Sequence, residues 1–233
     1  MKKLSVFAIL MILLISCTSK EGNMTVKGNI QGLKKGTIYL QKVKDTALVI
    51  VDSVVIDGNS NFILVDNVKS PEIYYLTLDK KSDEHITFFG DKGEITIESK
   101  LDKLVYAAKI KGSKNQTLLE QHSKMIKKFT DKQLDLIKAN FEAQRDRDLE
   151  MIEDISKKEK NLLKRRYLYT VNFAVTHGKS EIAPYLALTD LYYANVSLLD
   201  TINNSLSKKV KNSKYGLELQ KYIDTIKKSE ANK

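Results

Sequence analysis

The chain has 233 residues, 42% hydrophobic and 29% charged, the balance of a globular protein that buries a core. Its single cysteine, Cys17, excludes an internal disulfide. The net charge of +10 is uneven, with 14 basic against 13 acidic residues over 17–111 and 23 against 16 over 112–233.

Lys2 and Lys3 precede an apolar run from Leu4 to Ile15, then small Ser16 and Cys17. That order is a secretory signal ending in a lipobox. Twelve helical residues span only about 18 Å, against a hydrocarbon core of about 30 Å, so the run is too short to anchor the chain alone. Leu14-Ile15-Ser16-Cys17 resembles the processing site of bacterial lipoproteins. The resemblance implies cleavage before Cys17, a diacylglycerol on its sulfur, and a third acyl chain on the new amino group. Two or more chains hold a protein stably to a bilayer, at ~0.8 kcal/mol per buried methylene. Thr18-Ser19-Lys20, with no aspartate beside the cysteine, resembles lipoproteins sorted to the outer membrane.

From Met24 the pattern has period two, with Met24, Val26 and Ile30 on one side and Thr25, Lys27, Asn29 and Gln31 on the other. Gly32 to Gly36 predicts a turn and Ile38-Tyr39-Leu40 a returning strand. Leu48 to Ile56 is nearly continuous and β-branched, the pattern of a strand covered on both faces. Asp57-Gly58-Asn59 predicts a hairpin into Phe62 to Val65. Further strands are expected at Ile73 to Leu78, Ile86 to Phe89 and, after a turn at 90–93, Ile95 to Glu98. Leu104 to Ile110 closes the set. Eight short strands with brief links predict an antiparallel β-sandwich or open barrel.

At Gly112-Ser113 the period changes. Ser113 with Gln116 has capping-box spacing, and Leu118, His122, Met125, Ile126, Phe129, Leu136, Ile137 and Phe141 follow at helical spacing. Residues 114–177 hold neither glycine nor proline, too long for one ordinary helix, so a break is expected near Asp154 to Ser156, where Ser156 and Glu159 repeat the capping spacing. Gly178 is expected to end the second helix in the left-handed conformation. Three shorter helices follow, at 181–193, at 198–206 after Ser197 and at 214–228 after Ser213, and Ser229 to Lys233 is expected to fray. The reading is an α+β chain: signal 1–16, lipidated spacer 17–23, antiparallel β domain 24–111, α-helical region 112–233.

The segments GNIQGLKKGTIYL from Gly28, PEIYYL from Pro71, FFGDKGEITI from Phe88 and IKGSKN from Ile110, with Asp52-Ser53 leading to Phe62, resemble a domain of unknown function that precedes thioredoxin-like domains in many bacterial lipoproteins. Residues 177–228 resemble the linker region of those proteins. The gap from Gly58 to Phe62 is longer than the family's usual turn. In the longer relatives redox activity belongs to a thioredoxin-like domain with a Cys-x-x-Cys pair, which this sequence lacks. With Cys17 lipidated no thiolate remains for thiol-disulfide exchange.

The three histidines have no ligand-spaced partner, so structural roles are expected for His85 and His177, and an edge-of-core place for His122. Ser53 lies within a strand, without the elbow that advertises a nucleophile. Asp146, Asp148, Glu150, Glu153 and Asp154 alternate with bases, as solvated helix ion pairs do. The lysine and arginine clusters at 157–166 and 208–214 read as solvated helix faces. Tyr167, Tyr169, Phe173, Tyr185, Tyr192 and Tyr193 are expected to pack between helices. Asp45-Thr46-Ala47, Asp52-Ser53-Val54, Asp200-Thr201-Ile202 and Asp224-Thr225-Ile226 resemble an O-glycosylation signal.

These readings converge on a non-catalytic envelope lipoprotein, joined to the outer membrane through lipid on Cys17 and serving as a binding or adaptor module for an envelope protein or ligand. No catalytic residue, metal or cofactor is expected, nor nucleic acid as a partner, because export removes the chain from it. The alternatives are an accessory partner or fragment of a thiol-disulfide system, and a structural envelope component drawn to anionic surfaces by its basic half.

Overall fold

The computed structural model describes residues 22–79 and 84–231. The expected signal 1–16, Cys17 and most of the 17–23 spacer lie outside the described residues. Two four-stranded sheets face each other. One has the order β4-β1-β7-β8, built from β1 (Met24–Gln31), β4 (Asn61–Asp66), β7 (Gly93–Lys100) and β8 (Lys109–Lys111). The other has the order β3-β2-β5-β6, built from β2 (Lys35–Lys44), β3 (Ala47–Asp57), β5 (Glu72–Leu78) and β6 (His85–Gly90). The inward positions meet between them: Met24, Val26, Ile30, Ile38, Leu40, Leu64, Leu76, Phe88, Ile95 and Ile97 form one buried cluster. Period-two burial thus makes the sandwich that the alternation predicts.

The strand connections differ from the expected ones. Gly32 to Gly36, Asp57-Gly58-Asn59 and the 90–93 turn do not close hairpins; each carries the chain from one sheet to the other. β1 and β7 are consequently neighbours in parallel, Val26 opposite Ile95 and Gly28 opposite Ile97, while every other pairing is antiparallel. The close approach requires Gly28, since a Cβ there would sit 2.1 Å from the Ile97 carbonyl oxygen. The Leu48 to Ile56 run is not covered on both faces. It is the edge strand β3, with Val55 74% exposed, because β-branched residues suit an extended backbone whether or not both faces are covered. Within Leu104 to Ile110 the strand is only three residues; a 3-10 turn at Leu101–Lys103 and further turns precede it.

Ser113 caps α1 (Lys114–Asp146), its Oγ accepting from the Gln116 amide. The reciprocal half of the capping box is absent, because the Gln116 side chain accepts instead from the Phe89 amide of β6 and donates to Glu120. The chain reverses at Arg147, a left-handed residue (φ 56°), not near Asp154 to Ser156. Asp148 caps α2 (Leu149–Thr176), its carboxylate accepting from the Met151 amide, and Ser156 and Glu159 lie inside that helix. Asp148 outcompetes Ser156 because the reversal leaves it extended at the helix start, where a cap acts. Gly178 follows α2 as expected but with no positive φ; glycine is needed there because a Cβ would lie 2.4 Å from the Ser205 carbonyl oxygen. Then come α3 (Ile182–Thr189), shorter than the expected 181–193; α4 (Val196–Ser205), capped by Asn195, not Ser197; a short α5 (Lys208–Lys211); and α6 (Lys214–Ala231).

Two more clusters complete the interior. Val171, Ala174, Ala187, Leu191, Leu199, Ile202, Leu219 and Ile223 join α2, α3, α4 and α6. Ile73 and Phe89 of the second sheet pack with Leu118, Ile182, Leu186 and Tyr215, which docks the helices onto the sandwich. Beyond this base α1 and α2 run out as a hairpin. At 1.5 Å per residue its helices of 33 and 28 residues are about 50 and 42 Å long.

Candidate functional site: a cleft at the base of the hairpin

Leu119, His122, Ser123, Ile126, Lys127 and Thr130 recur at three- and four-residue spacing and so share one face of α1. Opposite them lie Arg166 of α2, Tyr185, Leu186 and Thr189 of α3, and Asp190 just after it. Together they enclose a cleft of about 470 Å³. Its floor is apolar and its rim cationic. Among the described residues neither Lys127 nor Arg166 has an ion-pair partner.

His122 is 2% exposed, with Nε2 3.0 Å from Thr170 Oγ1 and Nδ1 3.9 Å from Asp190 Oδ2, beyond hydrogen-bond range. Its ring packs against Tyr169 and Phe173, with centroids 5.6 and 5.3 Å away. Burial holds its pKa below the usual 6.5; the Asp190 carboxylate pulls it up and the Arg166 guanidinium pushes it down. The imidazole is therefore kept neutral against a positive neighbour. Asp190 also accepts from the Thr189 hydroxyl, which fixes the cleft's one acidic group. An apolar floor, two uncompensated cations and a neutral histidine suit recognition of an anionic group on an apolar body. They set out no nucleophile–base–orienter relay.

The other residues singled out in the sequence have structural places. His85 begins β6, its ring edge-on to Tyr75 at 5.1 Å. His177 follows α2, its Nδ1 2.7 Å from the Phe173 carbonyl oxygen. Asp52 accepts from the Ser53 and Val65 amides, a strand-to-strand tie and not the orientation of a base. Glu153 and Asp154 pair with Lys157 and Lys158 one turn on, the solvated ladder expected. Tyr167, Tyr169, Phe173 and Tyr185 pack among helices, but Tyr193 is exposed, and Tyr192 stacks on Tyr222 at the surface. Among the described residues no group of three His, Cys, Asp or Glu side chains is placed to hold a metal ion, and no helix is long and apolar enough to cross a membrane.

A second polar constellation ties the two halves together. Lys42 donates to Asp66 at 2.5 Å, and the Tyr74 hydroxyl donates to the same carboxylate at 2.6 Å. Burial opposes ionisation of Asp66, but the Lys42 and Tyr74 hydrogen bonds outweigh it and hold its pKa below the usual carboxylate value. From α6, Lys214 donates to Glu72 at 2.7 Å and to the Val43 carbonyl at 2.8 Å, and the Tyr215 hydroxyl accepts from the buried Ile73 amide. Every group here has a partner inside the protein, as in a structural joint.

The architecture defines a two-sheet β-sandwich followed by a helical region. Residues 24–119, the sandwich and the first turn of α1, match a family described as Domain of unknown function (DUF4369). No curated protein and no solved structure matches the chain. The match covers the β half and, of the residues that line the cleft, only Leu119.

Of the α1 wall, the apolar stripe read in the sequence contains His122 and Ile126 but not Leu119, Ser123, Lys127 or Thr130. That Arg166 and Asp190 lie across from it depends on the turn at Arg147 and on α3 folding back.

Proposed function

We propose that the protein is a non-catalytic envelope lipoprotein, anchored to the outer membrane by lipid on Cys17, whose folded part is a binding module. The observation that carries the reading is the cleft: two cations without ion-pair partners beside an apolar floor are the arrangement that an anionic group on an apolar body would complete. The signal-like start and lipobox support the address. A photo-crosslinking residue at Ser123 or Thr189, in cells, should give one reproducible adduct that the same residue at exposed Val55 does not. Equal or absent adducts at all three positions would remove the reading.

A second reading, an accessory role beside a thiol-disulfide system, rests on the sequence's resemblance to domains that precede thioredoxin-like domains in longer lipoproteins. On that reading the adduct contains a thioredoxin-like partner, and the purified protein alone reduces no disulfide substrate.

A further inference from the structure

The hairpin beyond the cleft is thin. Of the 33 residues of α1, only Asn115, Gln116, Leu118, His122 and Ala143 are buried, so between His122 and Ala143 none is. Two helices in contact bury too little to account for so long an arm. Apolar side chains are instead left on its flank. Leu134, Ile137 and Phe141 stand at i, i+3 and i+7 on one face of α1, and Leu149 and Leu163, fourteen residues apart, share a face of α2. Phe141 and Leu149 are 69% and 78% exposed. At its cleft end this flank opens into a groove of about 290 Å³ lined by Phe129, Gln133, Leu162 and Leu163, with Lys160 and Arg166 against a single acid, Glu159. Gln133 is one helical turn from Ile137, so the apolar stripe continues the groove toward the tip.

Charge is polarised along the same arm. Residues 140–155, around the tip, carry six acidic against two basic side chains, a net of −4. Residues 114–139 and 156–176, the shaft, carry four acidic against twelve basic, a net of +8. Among the described residues neither Lys160 nor Lys164 is ion-paired.

We propose that the hairpin pairs with a second copy of itself, antiparallel about a two-fold axis, the tip of each lying along the groove and stripe of the other. A two-fold interface must be self-complementary, and this arm carries an acidic apolar end and a basic apolar groove on one element. Side-by-side parallel pairing sets like charge against like; the antiparallel arrangement sets the −4 of each tip against residues 131–139 and 156–163 of the other arm, which carry three acidic and five basic side chains, a net of +2. Sixteen residues separate the turn from the groove, so the overlap is about 24 Å long. The four helices then bury the stripe as a bundle. The groove meets the cleft at Arg166, which lines both, while the apolar stripe and the tip lie outside the cleft.

The test uses the full chain extracted in mild detergent. Leu149→Cys combined with Leu163→Cys should yield a covalent dimer on oxidation, whereas neither single variant should. Lys160→Glu with Lys164→Glu should weaken dimerisation about tenfold, and mixing with a Glu142→Lys, Glu150→Lys chain should restore it as a heterodimer. These exposed changes should leave the circular dichroism spectrum unaltered. A monomer at concentrations on the order of 100 μM, a tip-to-tip dimer from Leu149→Cys alone, or adducts only with another protein would each overturn the proposal.

Discussion

The Lys214 ammonium on α6 sits 2.7 Å from the Glu72 carboxylate on β5, 142 residues away in sequence, and spans the junction between helices and sandwich. Glu72 is itself buried, with Lys42 3.5 Å away as its second cation. Lys214→Ala leaves Glu72 with that weaker contact alone and removes the tie to the Val43 carbonyl. The expected loss is about 2 kcal/mol in urea unfolding, with the helical part melting ahead of the sandwich. An unchanged midpoint would show that the apolar contacts of Phe89, Leu118 and Tyr215 hold the joint by themselves.

Asp148 and Ser156 offer a direct comparison. Asp148→Ala removes the side chain that accepts from the Met151 amide and should cost about 1 kcal/mol; Ser156→Ala, inside α2, should be neutral or slightly stabilising. The reverse order would place the helix break where the capping spacing of Ser156 and Glu159 suggests it.

That contrast marks how far the sequence was legible. Burial alternation is local, so Met24, Val26 and Ile30 announced their faces, and the change of period at Gly112-Ser113 announced the helices. Pairing is not local. Asp57-Gly58-Asn59 has the composition of a hairpin turn, but the same residues suit a crossing between sheets, and nothing within ten residues separates the two. The run around Val55 likewise reports extended backbone, not the neighbours of a strand. Of the cleft, only His122 and Ile126 stand on the stripe that helical spacing marks; its opposite wall depends on tertiary folding.

Gly178 reports on close approach and not on handedness. Gly178→Ala drives a methyl into the Ser205 carbonyl and should cost about 2 kcal/mol in thermal or urea unfolding, through displacement of α4 from α2. A stabilised variant would mean that the contact yields freely.

His122 predicts a pH dependence. Its folded pKa lies below the unfolded value of 6.5, through burial and Arg166 despite the opposing Asp190, so the unfolded chain takes up the proton first. Stability should therefore fall as pH drops below about 6.5, and stop falling on this account once the pH passes the folded pKa. His122→Gln, which keeps a hydrogen bond to Thr170 within reach, should flatten that part of the profile. The same acid limb in the variant would assign the dependence to other groups.

The proposed outer-membrane address depends on lipid at Cys17. Metabolic labelling with a radioactive fatty acid, comparing the native chain with Cys17→Ser, tests it most directly. The account predicts label on the native protein in the outer-membrane fraction and none on the variant. An unlabelled native protein, or one recovered with a free Cys17 thiol, would contradict it.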